Sequence, residues 1–292
     1  MAQLLESASA IASPRAAAAT GHGASSLSAA GALAWREMIR FFRQPNRIVG
    51  AVGTPIVFWI LFGLGLQGSF RAGGTESGPS FLQYYFPGSL VLTMLFTAIF
   101  STISVIEDRR EGILQAVLVS PTPRWAMVLG KVLGGALLAL SQALIFLLAV
   151  VFLPFWPGLF DLLQLVALLF VAGMALTSVG LVFAWRTDST QGFHAVMNLV
   201  LMPMWLLSGA FFPAPAWSSD LSATQQIMHV AIRLNPLSYS VAGARHLLGG
   251  GATPGVWMPS LAVCWMVTIL FAALAYLAAW RIAAGPSQGD LT

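Results

Sequence analysis

Five ionisable residues follow one another at Glu107, Asp108, Arg109, Arg110 and Glu111, and Arg124 and Lys131 stand a short way beyond. They concentrate charge in a chain that is 58% hydrophobic and 8% charged. After Gly112, which permits a bend at low steric cost, Ile113, Leu114, Val117 and Leu118 fall on one face at helical spacing. The chemistry this suggests is recognition. A short helix with an apolar face, held beside a charged cluster, is a handle for a soluble partner of the helix-in-groove kind. The same pattern serves equally well an ordinary connection whose apolar face rests on lipid.

Other motifs fail on their spacing. Gly130-Lys131 evokes a phosphate-binding loop, but Trp125 stands where its first glycine belongs and Val132 where Ser or Thr would hold magnesium. No nucleotide site is therefore expected in this chain. The run Gly63-Leu64-Gly65-Leu66-Gln67-Gly68 matches a dinucleotide pattern, yet it ends an apolar stretch with no strand before it or helix start after it. His22, His194, His229 and His246 are dispersed and lack a metal-ligand spacing. One cysteine, Cys264, cannot form an intrachain disulfide.

The elements that hold the charged segment are apolar for about twenty residues on either side, roughly the length that crosses a bilayer as a helix. With charge so far below the roughly 25% of a soluble domain, the expected fold class is all-α, a polytopic membrane protein. Six spans are read, over residues 48–66, 86–106, 127–153, 161–183, 193–212 and 259–281. Ser120-Pro121-Thr122-Pro123 separates the short helix from the third span, with Thr122 as N-cap and Pro123 at the first helical position. Residues 1–28, rich in Ala, Ser and Gly, read as a disordered tail, 29–286 as the six-helix transmembrane domain, and 287–292 as a C-terminal tail. From Leu33 to Arg43 an interfacial helix is expected, Trp35, Met38, Ile39 and Phe42 on one face and Arg36, Arg40 and Arg43 toward headgroups on another.

Eleven of the 14 basic residues fall on one side if the first tail is cytoplasmic, and only Arg71, Arg233 and Arg245 on the other. By the positive-inside rule both termini are cytoplasmic. The net charge of +4 is scattered over membrane-flanking segments, which points to anionic lipid and not to nucleic acid. In the loop 213–258 two further helices are expected. One runs from Thr224 to Leu234, and one is capped by Asn235 with Pro236 at its first position. Gly130 and Gly134 form a small-xxx-small pair suited to close helix packing.

No charged residue falls near the middle of any span, which disfavours an ion-coupled carrier, since such proteins keep ion or proton sites there. Ser141, Gln142, Thr177, Ser178 and Asn198 are the remaining intramembrane polar residues. Their ordinary role is interhelical hydrogen bonding, and contact with a substrate is the alternative. A membrane-embedded enzyme would need a polar catalytic cluster that the sequence does not display.

The run Glu107-x-x-Arg110-Glu111-Gly112, then Leu114, Ser120-Pro121 and Gly130-Lys131, resembles the region between the second and third spans of type 2 ATP-binding-cassette exporter permeases. Asn235-Pro236-Leu237-Ser238-Tyr239 resembles a second feature of that family, and the resemblance covers the chain from about residue 30 onward. It implies a permease subunit in a bacterial inner membrane, a homodimer, exporting a drug, lipid or glycan-lipid substrate. It also implies a cytoplasmic coupling helix between spans 2 and 3 that carries Glu107, Arg110, Glu111, Gly112, Ile113, Leu114, Val117 and Leu118. ATP and magnesium would be bound by a separate ATPase subunit.

Overall fold

The computed structural model describes residues 26–66, 79–113, 122–153, 157–218, 221–249 and 256–285. Nine helices are named here in chain order. α1 is Ser26–Phe42, α2 Pro45–Gly65, α3 Phe81–Arg110 and α4 Arg124–Leu147. α5 is Leu159–Ala184, α6 Thr190–Trp205, α7 Ala223–Leu234, α8 Pro236–Leu247 and α9 Leu261–Ala284. No strand occurs among the described residues. Six helices are long and apolar enough to span a membrane: α2, α3, α4 with its 3₁₀ extension to Phe152, α5, α6 with its π turn to Ala210, and α9. The protein is an all-α, multi-pass membrane protein. Its spans lie within a few residues of those read from hydropathy.

The helix starts follow local rules. Ser80 and Gln83 close a capping box on α3, and Ser222 and Gln225 do the same on α7. Pro45 opens α2 and Pro236 opens α8, each at a position where its missing N–H leaves no ladder bond unmade. The interfacial helix begins at Ser26, earlier than the expected Leu33, because Ser26–Ala32 packs as well: Ala30 is buried on α4. α4 begins one residue later than expected, with Pro123 as its N-cap and not Thr122. The tail as far as residue 25 lies outside the described residues.

α3 is the axis of the bundle. It packs against α2, α4, α5, α6 and α8, and Leu90, Leu92, Met94, Leu95 and Ile99 are enclosed on all sides. Such contact needs small residues where the backbones cross. A Cβ on Gly135 would stand 2.4 Å from Thr177 of α5, and one on Gly180 would stand 2.7 Å from Thr102 of α3. Gly130 and Gly134 do form the close-packing pair, and their partner is α1: their Cβ positions fall 2.7 Å from the Ala30 carbonyl and 2.9 Å from Glu37 Cβ.

The far end of α6 is broken. Past Pro203 the helix loosens into a π turn over Leu206–Ala210, with Gly209 at φ 74°. A helix opened inside a membrane leaves carbonyls that need donors, and neighbouring helices supply them. The Asn235 amide donates to Met204 O, Arg245 Nη2 to Gly209 O at 3.0 Å, and Tyr84 Oη to the same oxygen at 2.8 Å. The Asn235 Oδ1 meanwhile caps α8 by accepting from Leu237 N at 3.0 Å. One side chain thus starts a helix and repairs another.

Candidate functional site

At the end of the bundle that carries the 107–111 run, α3 meets α1, the start of α2 and the first turns of α4. Asp108 sits at the centre, 1% exposed. Its carboxylate accepts from Lys131 Nζ at 2.5 Å, from Arg40 Nη1 at 2.6 Å and from Arg36 Nη2 at 2.9 Å. Lys131, 8% exposed, also donates to Glu37 Oε1 at 2.6 Å, and Glu37 is 4% exposed. Glu107 accepts from Arg40 Nη2 at 2.9 Å and from Arg47. Three carboxylates and four cations therefore interlock four helices. Burial of such charges is strongly unfavourable unless every one is paired and hydrogen-bonded. The bond to Asp108 raises the Arg36 guanidinium above its ordinary pKa, so it stays charged.

This corrects one expectation. Arg36 and Arg40 face Asp108 and not headgroups, because a carboxylate buried at the end of α3 binds them more tightly than water would. Trp35, Ile39 and Phe42 remain exposed on the other side of α1. The charged run itself is divided. Glu107 and Asp108 are built into the bundle, while Glu111 is largely open to solvent.

The arginines of the run close neighbouring helix ends. Arg109 donates to the carbonyl of Ala184, the last residue of α5, and to those of Trp185 and Thr187 just beyond it, and Arg110 to the carbonyl of Asp188 at 2.9 Å. Arg124 donates to Ala283, Ala284 and Gly285 at the end of α9. A cation at a helix C-terminus satisfies carbonyls that have no partner inside the helix and complements the dipole. The segment between α3 and α4 is in this way bounded on both sides by residues tied to other spans.

Gly112 takes φ 73°, a left-handed conformation that favours glycine, and turns the chain out of α3. Ile113 follows, half-buried; Leu114, Val117 and Leu118 lie outside the described residues. Beside this exit is a cleft of about 630 Å³ lined by Trp35, Arg36, Ile39, Arg40, Arg43 and Glu111, among others.

The polar residues of the spans do not converge. Ser141 Oγ donates to Leu138 O and Ser178 Oγ to Met174 O, both at 2.7 Å and both within their own helices. Gln142 is fully buried with both amide atoms unpartnered, and Thr177 Oγ1 is buried without a partner. Thr177 packs on Gly135, roughly 10 Å along α4 from Gln142. Asn198 is exposed on α6.

Residues 28–248 match the family model described as ABC-2 type transporter. The chain belongs to the ABC-2 type transporter family. Among related proteins, the putative transport permease ycf38 of Cyanophora paradoxa is 27% identical over 73% of this chain and 71% of its own length. The daunorubicin resistance ABC transporter permease protein DrrB1 of Streptomyces coeruleorubidus is 23% identical over 79% and 77%. Nodulation protein J of Neorhizobium galegae is 26% identical over 82% and 86%. This ABC-2 chain is thus a transmembrane permease subunit, a kind that works with an ATP-binding-cassette subunit. The charge cluster lies within its matched region.

Sequence reasoning had Glu107 but missed Glu37, Asp108, Arg36, Arg40, Arg47 and Lys131 as one unit. The available signal was Lys131 two turns inside an otherwise apolar helix, where a lone ammonium needs an acid from elsewhere.

Proposed function

We propose that this chain is the membrane-spanning half of an exporter that moves a hydrophobic or amphiphilic molecule with ATP hydrolysed on a separate subunit. The observation that carries the reading is where the described chain stops and resumes on either side of residues 114–121: α3 turns at Gly112 and α4 starts at Arg124, both beside a buried ionic cluster that fastens α1, α2, α3 and α4. A push delivered to this segment reaches four helices together, which suits a rigid-body rocking mechanism. Leu114, Val117 and Leu118, with Ile113, are the face that docks on the ATPase, and Glu111 and Arg110 border it. The cleft beside Glu111 is open to the same partner.

A homodimer in a bacterial inner membrane, with both termini cytoplasmic, completes the proposal. In support, α6 exposes Asn198 together with Leu199 and Val200. An amide is poorly placed against acyl chains, whereas a second copy or the substrate path would cover it. The names of the drug-resistance and nodulation relatives are in keeping with an amphiphilic substrate.

The test is co-purification of the cognate ATPase, alongside substrate efflux, with Leu114→Asp and Leu118→Asp. An unpaired carboxylate at the contact costs several kcal/mol, so both readouts should fall while the permease still accumulates in the membrane. Unchanged co-purification and efflux in the double variant would reduce this segment to a plain connection. ATP hydrolysis by the purified permease alone would overturn the division of labour.

A further inference from the structure

α4 packs along α3 in an antiparallel seam, and three contacts fix its register. At the end that holds the charge cluster, Lys131 Nζ reaches Asp108 Oδ2 at 2.5 Å and Ser104 Oγ at 3.4 Å. In the middle, the Cβ position of Gly135 falls 2.9 Å from Ser101 Oγ. At the far end the Phe146 ring stacks on Phe86 at 5.3 Å.

Gln142 lies inside this seam, two turns from Gly135 and one turn before Phe146. It is fully buried, and neither Nε2 nor Oε1 has a hydrogen-bond partner. An amide enclosed among membrane helices without a partner carries an uncompensated desolvation cost. α3 presents a bonding group close by. Thr93 is two turns from Phe86, hence on the same face of α3, and it too is fully buried. Its Cα level lies roughly 5 Å along the seam from that of Gln142. Side chains lean toward the N-terminus of their own helix, so in this antiparallel pair Gln142 and Thr93 lean toward each other.

The hydroxyls of α3 nevertheless bond to their own helix. Thr93 Oγ1 donates to Ser89 O at 3.0 Å, Thr97 Oγ1 to Thr93 O at 2.8 Å and Ser101 Oγ to Ala98 O at 3.1 Å. Each oxygen keeps a lone pair that can accept. Among the described residues no hydrogen bond crosses the seam between Gly135 and Phe146. A donor on α4 and an acceptor on α3 therefore stand near each other unjoined, in a stretch held by a ring stack and apolar contacts that shift without breaking a bond.

We propose that α3 and α4 have a second packing, in which the far half of α4 shifts along α3 and Gln142 Nε2 donates to Thr93 Oγ1. Lys131 and Asp108 stay paired in both, so the seam pivots about the charge cluster. The packing described above is the one that leaves the amide without a partner, and Gln142 biases the chain toward the other. Two discrete packings of one interface are the kind of element that a transport cycle can switch. That role rests on the exporter reading above; the existence of the two packings does not.

The test is methyl relaxation dispersion in the full-length permease in nanodiscs, read at Met94, which follows Thr93 and packs on Gly173 of α5. The parent should show exchange on the microsecond-to-millisecond scale that this method detects. Gln142→Leu and Thr93→Val should each abolish it, and Thr97→Val should leave it in place. The melting transition of Gln142→Leu should rise by several degrees, because the unpartnered amide is gone. A flat profile in the parent, or exchange that persists in Gln142→Leu, would overturn the proposal. A melting transition unchanged or lowered in that variant would show the amide already bonded in this packing, to a neighbour or a trapped water, and would overturn it as well. None of these readouts needs the ATPase. Exchange lost in Gln142→Leu with ATP-driven efflux unchanged would separate the second packing from transport and overturn its role there.

Discussion

Lys131→Met isolates the energetics of the charge cluster. The ammonium lies between Glu37 Oε1 at 2.6 Å and Asp108 Oδ2 at 2.5 Å. Asp108 keeps Arg36 and Arg40 when the lysine is lost. Glu37 keeps only Arg36 Nη1 at 3.8 Å, so the damage falls on a carboxylate that is almost fully enclosed. Removing one partner of a buried pair destabilises by about 3–5 kcal/mol. Replacing both charges with Met, as Glu37→Met with Lys131→Met, should recover most of that loss, since apolar replacement of a whole buried pair is often neutral. Thermal melts of the detergent-solubilised protein should show the single variant lower by roughly 5–10 °C. The double-mutant cycle should give a coupling of about 2 kcal/mol. A single variant that melts with the parent, or a double whose effects simply add, would refute the view that these charges are mutually dependent.

Gly88→Ala should lower the melting transition by the equivalent of about 1–3 kcal/mol, because the new Cβ would stand 2.6 Å from Ala210 Cβ and 2.9 Å from its Cα, where α3 meets the π turn. Asn235→Ala removes a helix cap and the donor to Met204 O together; about 2–4 kcal/mol should be lost in the same melts, with no such loss for a substitution at exposed Gln191. A reporter fused after Arg281 should be active in the cytoplasm and one inserted at Gly74 outside, and the reverse pattern would invert the orientation.

The spans were legible because twenty apolar residues in a row admit few other structures, and Asn235-Pro236 announced α8 through capping chemistry that acts within three residues. Gly112 was legible for the same reason: the bend is local. The ionic cluster was not, because its bonds join residues 72 and 94 positions apart. An arginine on an amphipathic helix satisfies the sequence pattern as well by facing water as by facing Asp108. Gly130 and Gly134 predicted a close crossing but not that α1 would supply it. The intramembrane polar residues illustrate the opposite limit. Their chemistry was plain, but only the folded chain shows Ser141 and Ser178 bonded within their own helices and Asn198 turned outward.

The seating of α1 on α4 has a consequence for biogenesis. Glu37 is made 94 residues before the lysine that neutralises it, and the glycine groove that receives Ala30 and Ala34 is made with that lysine. Until the third span emerges, α1 has neither its counter-charge nor its surface, and must wait at the membrane boundary while two spans insert ahead of it. The first of the described helices is thus among the last of this group to reach its final place, and its arrival fastens the three helices that were made after it.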